Sequence, residues 1–149
     1  KLRNAVIEII IRKNENDEQF EFHYTFLDLA EDAKLFAEAL KSNKTWKSLS
    51  LAFNLLGDAG AKLIAEALKS NKTLTSLSLE ILQIEDEGAK ALAEALKSND
   101  TLTLFLLKGN QFGDGGTKAL EEAFKSSTTL KPLSLEKNQV EYGVELLKA

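Results

Sequence analysis

The 149-residue sequence has no cysteine and no methionine, and only one proline, one tryptophan and one histidine. Without cysteine there is no disulfide framework, no thiolate nucleophile and no thiolate metal site. The lone histidine, His23, has no companions at ligand spacing, so neither a metal site nor an acid–base relay is expected, and it reads as a strand residue opposite a polar neighbour. Neither a G-x-S-x-G nucleophile elbow nor a G-x-x-x-x-G-K-[ST] phosphate loop occurs. Basic charge is not in excess. The formal net charge is -4 and the only arginines are Arg3 and Arg12, which argues against a grip on nucleic acid or an anionic membrane. No apolar run approaches the roughly 20 residues that span a bilayer. The apolar stretch from Ala5 to Ile11 is short and carries Glu8. No signal-peptide layout is visible, so a cytoplasmic setting is expected. The missing methionine and the start at Lys1 suggest an excised or designed segment. The rest of the composition, 44% hydrophobic and 28% charged, is that of one ordinary globular domain.

What is present is a repeat. The stretch WKSLSLAFNLLGDAGAKLIAEALKSNKT, from Trp46 to Thr73, recurs from Leu74 to Thr101 and from Leu102 to Thr129, and begins again at Leu130. The period of 28 is marked by Thr45, Thr73, Thr101 and Thr129. Each unit opens with alternation: Leu49 and Leu51, Leu77 and Leu79, Phe105 and Leu107, Leu133 and Leu135. Period two marks a strand with one buried face. Helical spacing follows, with Ala61, Ile64, Ala65 and Leu68 on one face and Ala89, Leu92, Ala93 and Leu96 repeating it. Between the halves lies a turn with Asn54, Asn110 and Asn138 at one position, where the amide can pair with turn backbone. Leu82 interrupts that series, so weaker turn bonding is expected there. Ser42-Asn43, Ser70-Asn71, Ser98-Asn99 and Ser126-Ser127 read as helix terminators and loop formers. Trp46 shares its place with Leu74, Leu102 and Leu130 and reads as core.

One strand and one helix cannot bury both faces alone, so the units must stack, with a parallel sheet on the inner, concave side and helices outside. The pattern LxxLxLxxNxxGDxGAKxLAEALKxNxTL resembles the ribonuclease-inhibitor type of leucine-rich repeat. That subfamily includes ribonuclease inhibitor, the sensing domains of NOD-like receptors, the GTPase-activating protein for Ran and the C-terminal domain of tropomodulin. The resemblance covers about Ala33 to the end and implies an α/β solenoid that binds other proteins. The expected function is a non-catalytic protein-interaction module or repeat scaffold, without cofactor or metal. The alternative is a GTPase-activating or other regulatory domain, disfavoured because no arginine lies in the repeats. The candidate protein-binding surface is the concave row of strand positions: Ser48, Ser50, Ala52, Ser76, Ser78, Glu80, Leu104, Leu106, Lys108, Ser134 and Glu136.

The departures from the repeat carry further expectations. The β-branched run Ala5 to Ile11 and the alternation from Phe20 to Phe26 predict a β-hairpin capping the N-terminal end over residues 1–25. In it Phe22 and Tyr24 stand for Leu49 and Leu51, and 26–45 completes an irregular first unit. Full units are 46–73, 74–101 and 102–129, and 130–149 is incomplete, starting with Pro132 in its strand. Self-association is expected through the N-terminal edge strand or the open C-terminal end. Leu104 and Leu106 replace serines and form a possible contact patch, against a local change of register. Glu121 sits where Ala65 and Ala93 face the core, so an edge or a shift is expected there. Gly113-Asp114-Gly115-Gly116 precedes a helix but aligns with the repeat turn, so phosphate binding is not expected. Glu85-Asp86-Glu87 complements a helix N-terminus through the dipole.

Overall fold

A computed structural model describes residues 2–23, 29–52 and 55–130, with side chains from residue 5 onward except 29–31. The elements are α1 (Leu2–Lys13), β1 (Gln19–Glu21), α2 (Leu29–Ser42), β2 (Ser48–Ser50), α3 (Gly57–Ser70), β3 (Ser76–Ser78), α4 (Asp86–Ser98), β4 (Leu104–Leu106) and α5 (Asp114–Ser126). The strands form one parallel sheet in the order β1-β2-β3-β4. Sequence order equals sheet order, and each of α2 to α4 packs on the next helix. The chain therefore advances one strand and one helix at a time, an α/β leucine-rich-repeat solenoid.

The two periodicities do what they predict. Phe20, Leu49, Leu77 and Phe105 face inward in register across the sheet. One side chain further on, Phe22, Leu51, Leu79 and Leu107 are buried behind them. On the helices the buried set is Ala61, Ile64, Ala65, Ala67 and Leu68 in α3, repeated as Ala89, Leu92, Ala93, Ala95 and Leu96 in α4. Each fully buried leucine or phenylalanine contributes about 1.5–3 kcal/mol by leaving water. The alanines keep the helix axes near the sheet.

The N-terminal cap differs from expectation: the residues read as the first hairpin strand are helix α1. β-branched residues favour strands only weakly, and tertiary burial decides. Ile7 and Ile11 are buried and Ile10 partly so, a helical spacing within what looked like a uniform apolar run. Arg12 and Lys13 lie in the last turn, where the helix dipole favours cations. The Asn14 side-chain amide donates to the Ile10 carbonyl at 2.7 Å. There is accordingly no N-terminal edge strand at Ala5–Ile11 for self-association. The register of β1 also shifts. Phe20, not Phe22, pairs with Leu49, and the Phe22 amide donates to Ser50 O at 2.9 Å. Phe22 thus takes the place of Leu51, and the first unit is one residue longer than the rest, not one shorter as Phe22 in the place of Leu49 would have made it. Tyr24, Phe26, Asn54 and everything from Lys131 on, including Pro132, Asn138 and the C-terminal end, lie outside the described residues.

Aromatic rings fill the first unit. Phe20 lies 5.0 Å from Trp46 and 6.4 Å from Phe36, and Phe22 lies 4.8 Å from Phe36. Trp46 is core, as its repeat position implies, and its indole N–H donates to Asn14 O at 2.8 Å. That bond ties the end of α1 to the first full repeat.

Two side-chain ladders join the units. The residue after each helix is one. Asn71 is 2% exposed; its Nδ2 donates to Leu40 O at 2.8 Å and Asn43 O at 3.2 Å. Its Oδ1 accepts from Thr73 N and Leu74 N at 3.0 and 2.8 Å. Asn99 repeats all four bonds with Leu68 O, Asn71 O, Thr101 N and Leu102 N. These residues are inter-repeat rungs as well as loop formers. Ser127 holds the same place and accepts from Thr129 N and Leu130 N, but its hydroxyl lacks the reach to the preceding unit. Its backbone angles, -68° and 137°, match the -78° and 126° of Asn71. Ser127→Asn is therefore expected to restore the rung and raise stability by about 1 kcal/mol, read from the urea midpoint. A fall in the midpoint would mean that the place does not accept the amide.

The second ladder lies at the helix starts. Asp86 Oδ1 accepts from Gly113 N at 2.6 Å and Gly116 N at 3.0 Å, and Asp58 Oδ1 accepts from Glu85 N at 2.7 Å. A Cβ at Gly88 would meet Asp58 Oδ1 at 2.7 Å, and one at Gly116 would meet Asp86 Oδ1 at 2.6 Å. The glycines are notches for the carboxylate of the unit before.

The turn at Leu82 is not short of hydrogen bonds. Asn110, from the next unit, accepts from Leu82 N and Ile84 N at 3.0 Å each and donates to Leu79 O and Leu107 O. Leu82 O accepts from Gly57 N at 3.0 Å. The cost falls on backbone angles instead. Ile81 and Gln83 each have φ of 57°. Ile81 shares its repeat position with Gly109, whose φ is 76°. That left-handed conformation costs a β-branched residue about 1–2 kcal/mol.

Candidate protein-binding face

The face of the sheet turned away from the helices holds the alternate strand positions. Ser48 pairs in register with Ser76 and Ser76 with Leu104, and Ser50 with Ser78 and Ser78 with Leu106. All six are half-buried, as are Glu80 and Lys108. Ala52 is 3% exposed at the turn after β2, so it offers no side chain to a partner. Ser134 and Glu136 lie outside the described residues.

The face is a floor of hydroxyls beside an apolar strip. His23 lies two residues past the end of β1 and not in the strand expected of it, and its Nε2 is 2.6 Å from Ser50 Oγ, a polar neighbour. Ser78 Oγ donates to Glu80 Oε1 at 3.2 Å. Leu104 and Leu106 keep the ladder register with Phe105 inward, so their presence reflects substitution without slippage. Register also brings in residues the sequence reading missed. Gln19 pairs with Ser48 and Glu21 with Ser50, because β1 is set by Phe20. The signal was available in Phe20 itself, the first member of the alternation. Away from this face, Ile81 and Leu55 are exposed apolar residues near the turns, and Val6 and Ile9 are exposed on α1.

Other candidates resolve into structure. The amides of Gly113 and Gly116, which an anion would need, are taken by Asp86. Asp86 bonds to the next unit besides standing in a helix's first turn. Glu121 is largely buried, with Lys125 Nζ 3.8 Å away one turn on. On the exposed helix layer, Lys97 holds the Glu94 carboxyl below its ordinary range by a hydrogen bond and by charge. Among the described residues no three His, Asp or Glu side chains gather as metal ligands, and no helix is long and apolar enough to cross a membrane.

The fold and the repeating contacts are those of a leucine-rich-repeat solenoid. The Leucine Rich repeat family profile matches residues 42–65 and 70–93. Among solved structures, the chain is similar to the actin-binding site 2 of leiomodin-1, with 27% identity, a TM-score of 0.69, and coverage of 95% of this chain and 92% of that one. It shares its fold with the tropomodulin C-terminal domain of Caenorhabditis elegans, with 15% identity, a TM-score of 0.68, and coverage of 98% and 99%. No curated protein matches the chain.

Proposed function

We propose that the chain is a non-catalytic protein-binding module whose partner is actin, engaged through the open face of the sheet. The observation that carries the partner is the likeness, at 27% identity over nearly the whole of both chains, to a leiomodin domain designated an actin-binding site. The choice of face rests on Leu104 and Leu106, half-buried apolar side chains beside the polar Ser76 and Ser78. A cytoplasmic setting goes with that partner. The GTPase-activating alternative has no comparable support, since Arg12 stands on α1 beside Glu8, 3.8 Å away.

The test is titration of labelled monomeric actin with the chain, followed by fluorescence anisotropy. Saturable binding is expected in the micromolar range, about -8 kcal/mol at 1 μM. Replacing both Leu104 and Leu106 by serine is expected to weaken it at least tenfold, about 1.4 kcal/mol, because the two apolar side chains no longer leave water on binding. No complex at about 100 μM, where about -5.5 kcal/mol would give half-saturation, overturns actin as partner. Undiminished binding by the double variant moves the contact off this face.

A further inference from the structure

The rungs of the asparagine ladder have a second chemical identity. Asn43-Lys44-Thr45, Asn71-Lys72-Thr73 and Asn99-Asp100-Thr101 each read N-x-T with no proline between, the acceptor pattern for N-linked glycosylation. The atom that would be modified is the asparagine Nδ2. In the fold that atom is committed: in Asn71 to Leu40 O and Asn43 O, in Asn99 to Leu68 O and Asn71 O, and in Asn43 to Glu15 O. Asn71 is 2% and Asn99 5% exposed. No sugar fits at either without parting adjacent units. Most acceptors stand on surface loops; these two are internal.

We propose that Asn71 and Asn99 are latent glycosylation acceptors that the unfolded chain offers and the folded chain hides. Modification and folding then exclude each other. The transfer takes an oligosaccharide from a lipid-pyrophosphate donor. The amide Nδ2 forms a bond to the sugar's anomeric carbon and loses one proton, while the carbon–oxygen bond to the pyrophosphate breaks and the lipid pyrophosphate leaves. Once made, the N-glycoside replaces an N–H of the rung with a bulky, hydrated group. Each rung joins residues about a unit apart in sequence, so it stays open until both of the units it links have emerged and packed. A transferase acting during synthesis meets open asparagines. Productive folding is thereby confined to compartments without that enzyme, whatever the partner of the folded module.

The experiment is translation of the full chain behind a secretory leader in the presence of microsomes, followed by limited proteolysis of the bands separated by glycan number. Glycan-bearing bands are expected, collapsing to one on treatment with an amidase that removes N-glycans. Species modified at Asn71 or Asn99, assigned by peptide mass, are expected to be digested at least tenfold faster than the unmodified chain in the same sample. A Thr45→Val, Thr73→Val, Thr101→Val variant keeps every asparagine and removes every acceptor; it is expected to emerge unmodified and protease-resistant. The comparison of bands within the wild-type sample stands even if that variant fails to fold. Complete absence of modification, or a chain carrying glycan at Asn71 or Asn99 that resists protease like the bare one, overturns the proposal.

Discussion

Asn71→Ala is expected to destabilise the protein by about 3–5 kcal/mol, since each buried backbone group left without a partner costs about 1–3 kcal/mol. The side chain serves four groups at once, Leu40 O, Asn43 O, Thr73 N and Leu74 N, and water does not reach a residue only 2% exposed. For a chain of this size the corresponding fall in Tm is about 6–20 °C. Asn71→Ser separates the two halves of the rung. Like Ser127, which accepts from Thr129 N and Leu130 N, a serine at 71 can still serve the two amides within its own unit. It cannot donate to the unit before. Its cost should therefore fall between wild type and alanine, and equal losses for serine and alanine would show that the link across units contributes little. Thermal and urea unfolding of the three proteins decide this.

Trp46→Ala is expected to cost about 3–5 kcal/mol, the range for removing a large aromatic side chain from a core. Trp46 is 1% exposed and leans on Phe20 at 5.0 Å. The loss has a local signature as well. The indole N–H holds Asn14 O, so its removal frees the end of α1 from the first repeat. Amide exchange in α1 should accelerate more than exchange in β3, because a solenoid end opens before its middle. Trp46→Phe keeps a ring and removes the N–H, and is expected to lose about 1–2 kcal/mol. Uniform acceleration along the chain would instead mean that the cap and the repeats unfold as one unit.

The repeats were legible because their period and their strand and helix signals agree. Leu49 and Leu51 alternate, Ala61, Ile64, Ala65 and Leu68 follow helical spacing, and both sets lie buried where those periods place them. The cap was not legible. Ala5 to Ile11 is apolar nearly throughout, so periodicity cannot distinguish helix from strand. What settles it is tertiary: Ile7 and Ile11 turn toward the core while Val6 and Ile9 stay exposed. The misplaced register of β1 followed from the same misreading of where the repeats begin. At the candidate face, the substitutions at Leu104 and Leu106 were visible in sequence, but the burial of Ala52 and the inclusion of Gln19 and Glu21 depended on the turn after β2 and the register of β1. The long-range partners of Asn71 and Asp86 were invisible for a plainer reason. A repeated polar residue at a helix end has an adequate local explanation in capping or dipole, and the bonds that matter more run to another unit.

The carboxylate and glycine pairing at the helix starts gives the stack a direction. Asp58 projects over Gly88 and Asp86 over Gly116, each tooth closing on the notch of the unit behind it. At the matching place in the first unit stands Asp32, itself 1% exposed. A repeat carrying such a tooth, grafted ahead of α2, would press one carboxylate against another where the fold has no room for water. Copies of the 74–101 unit inserted behind Thr101 would find a glycine waiting. The array can be lengthened from within and not from its front, a rule of grammar written in two residue types.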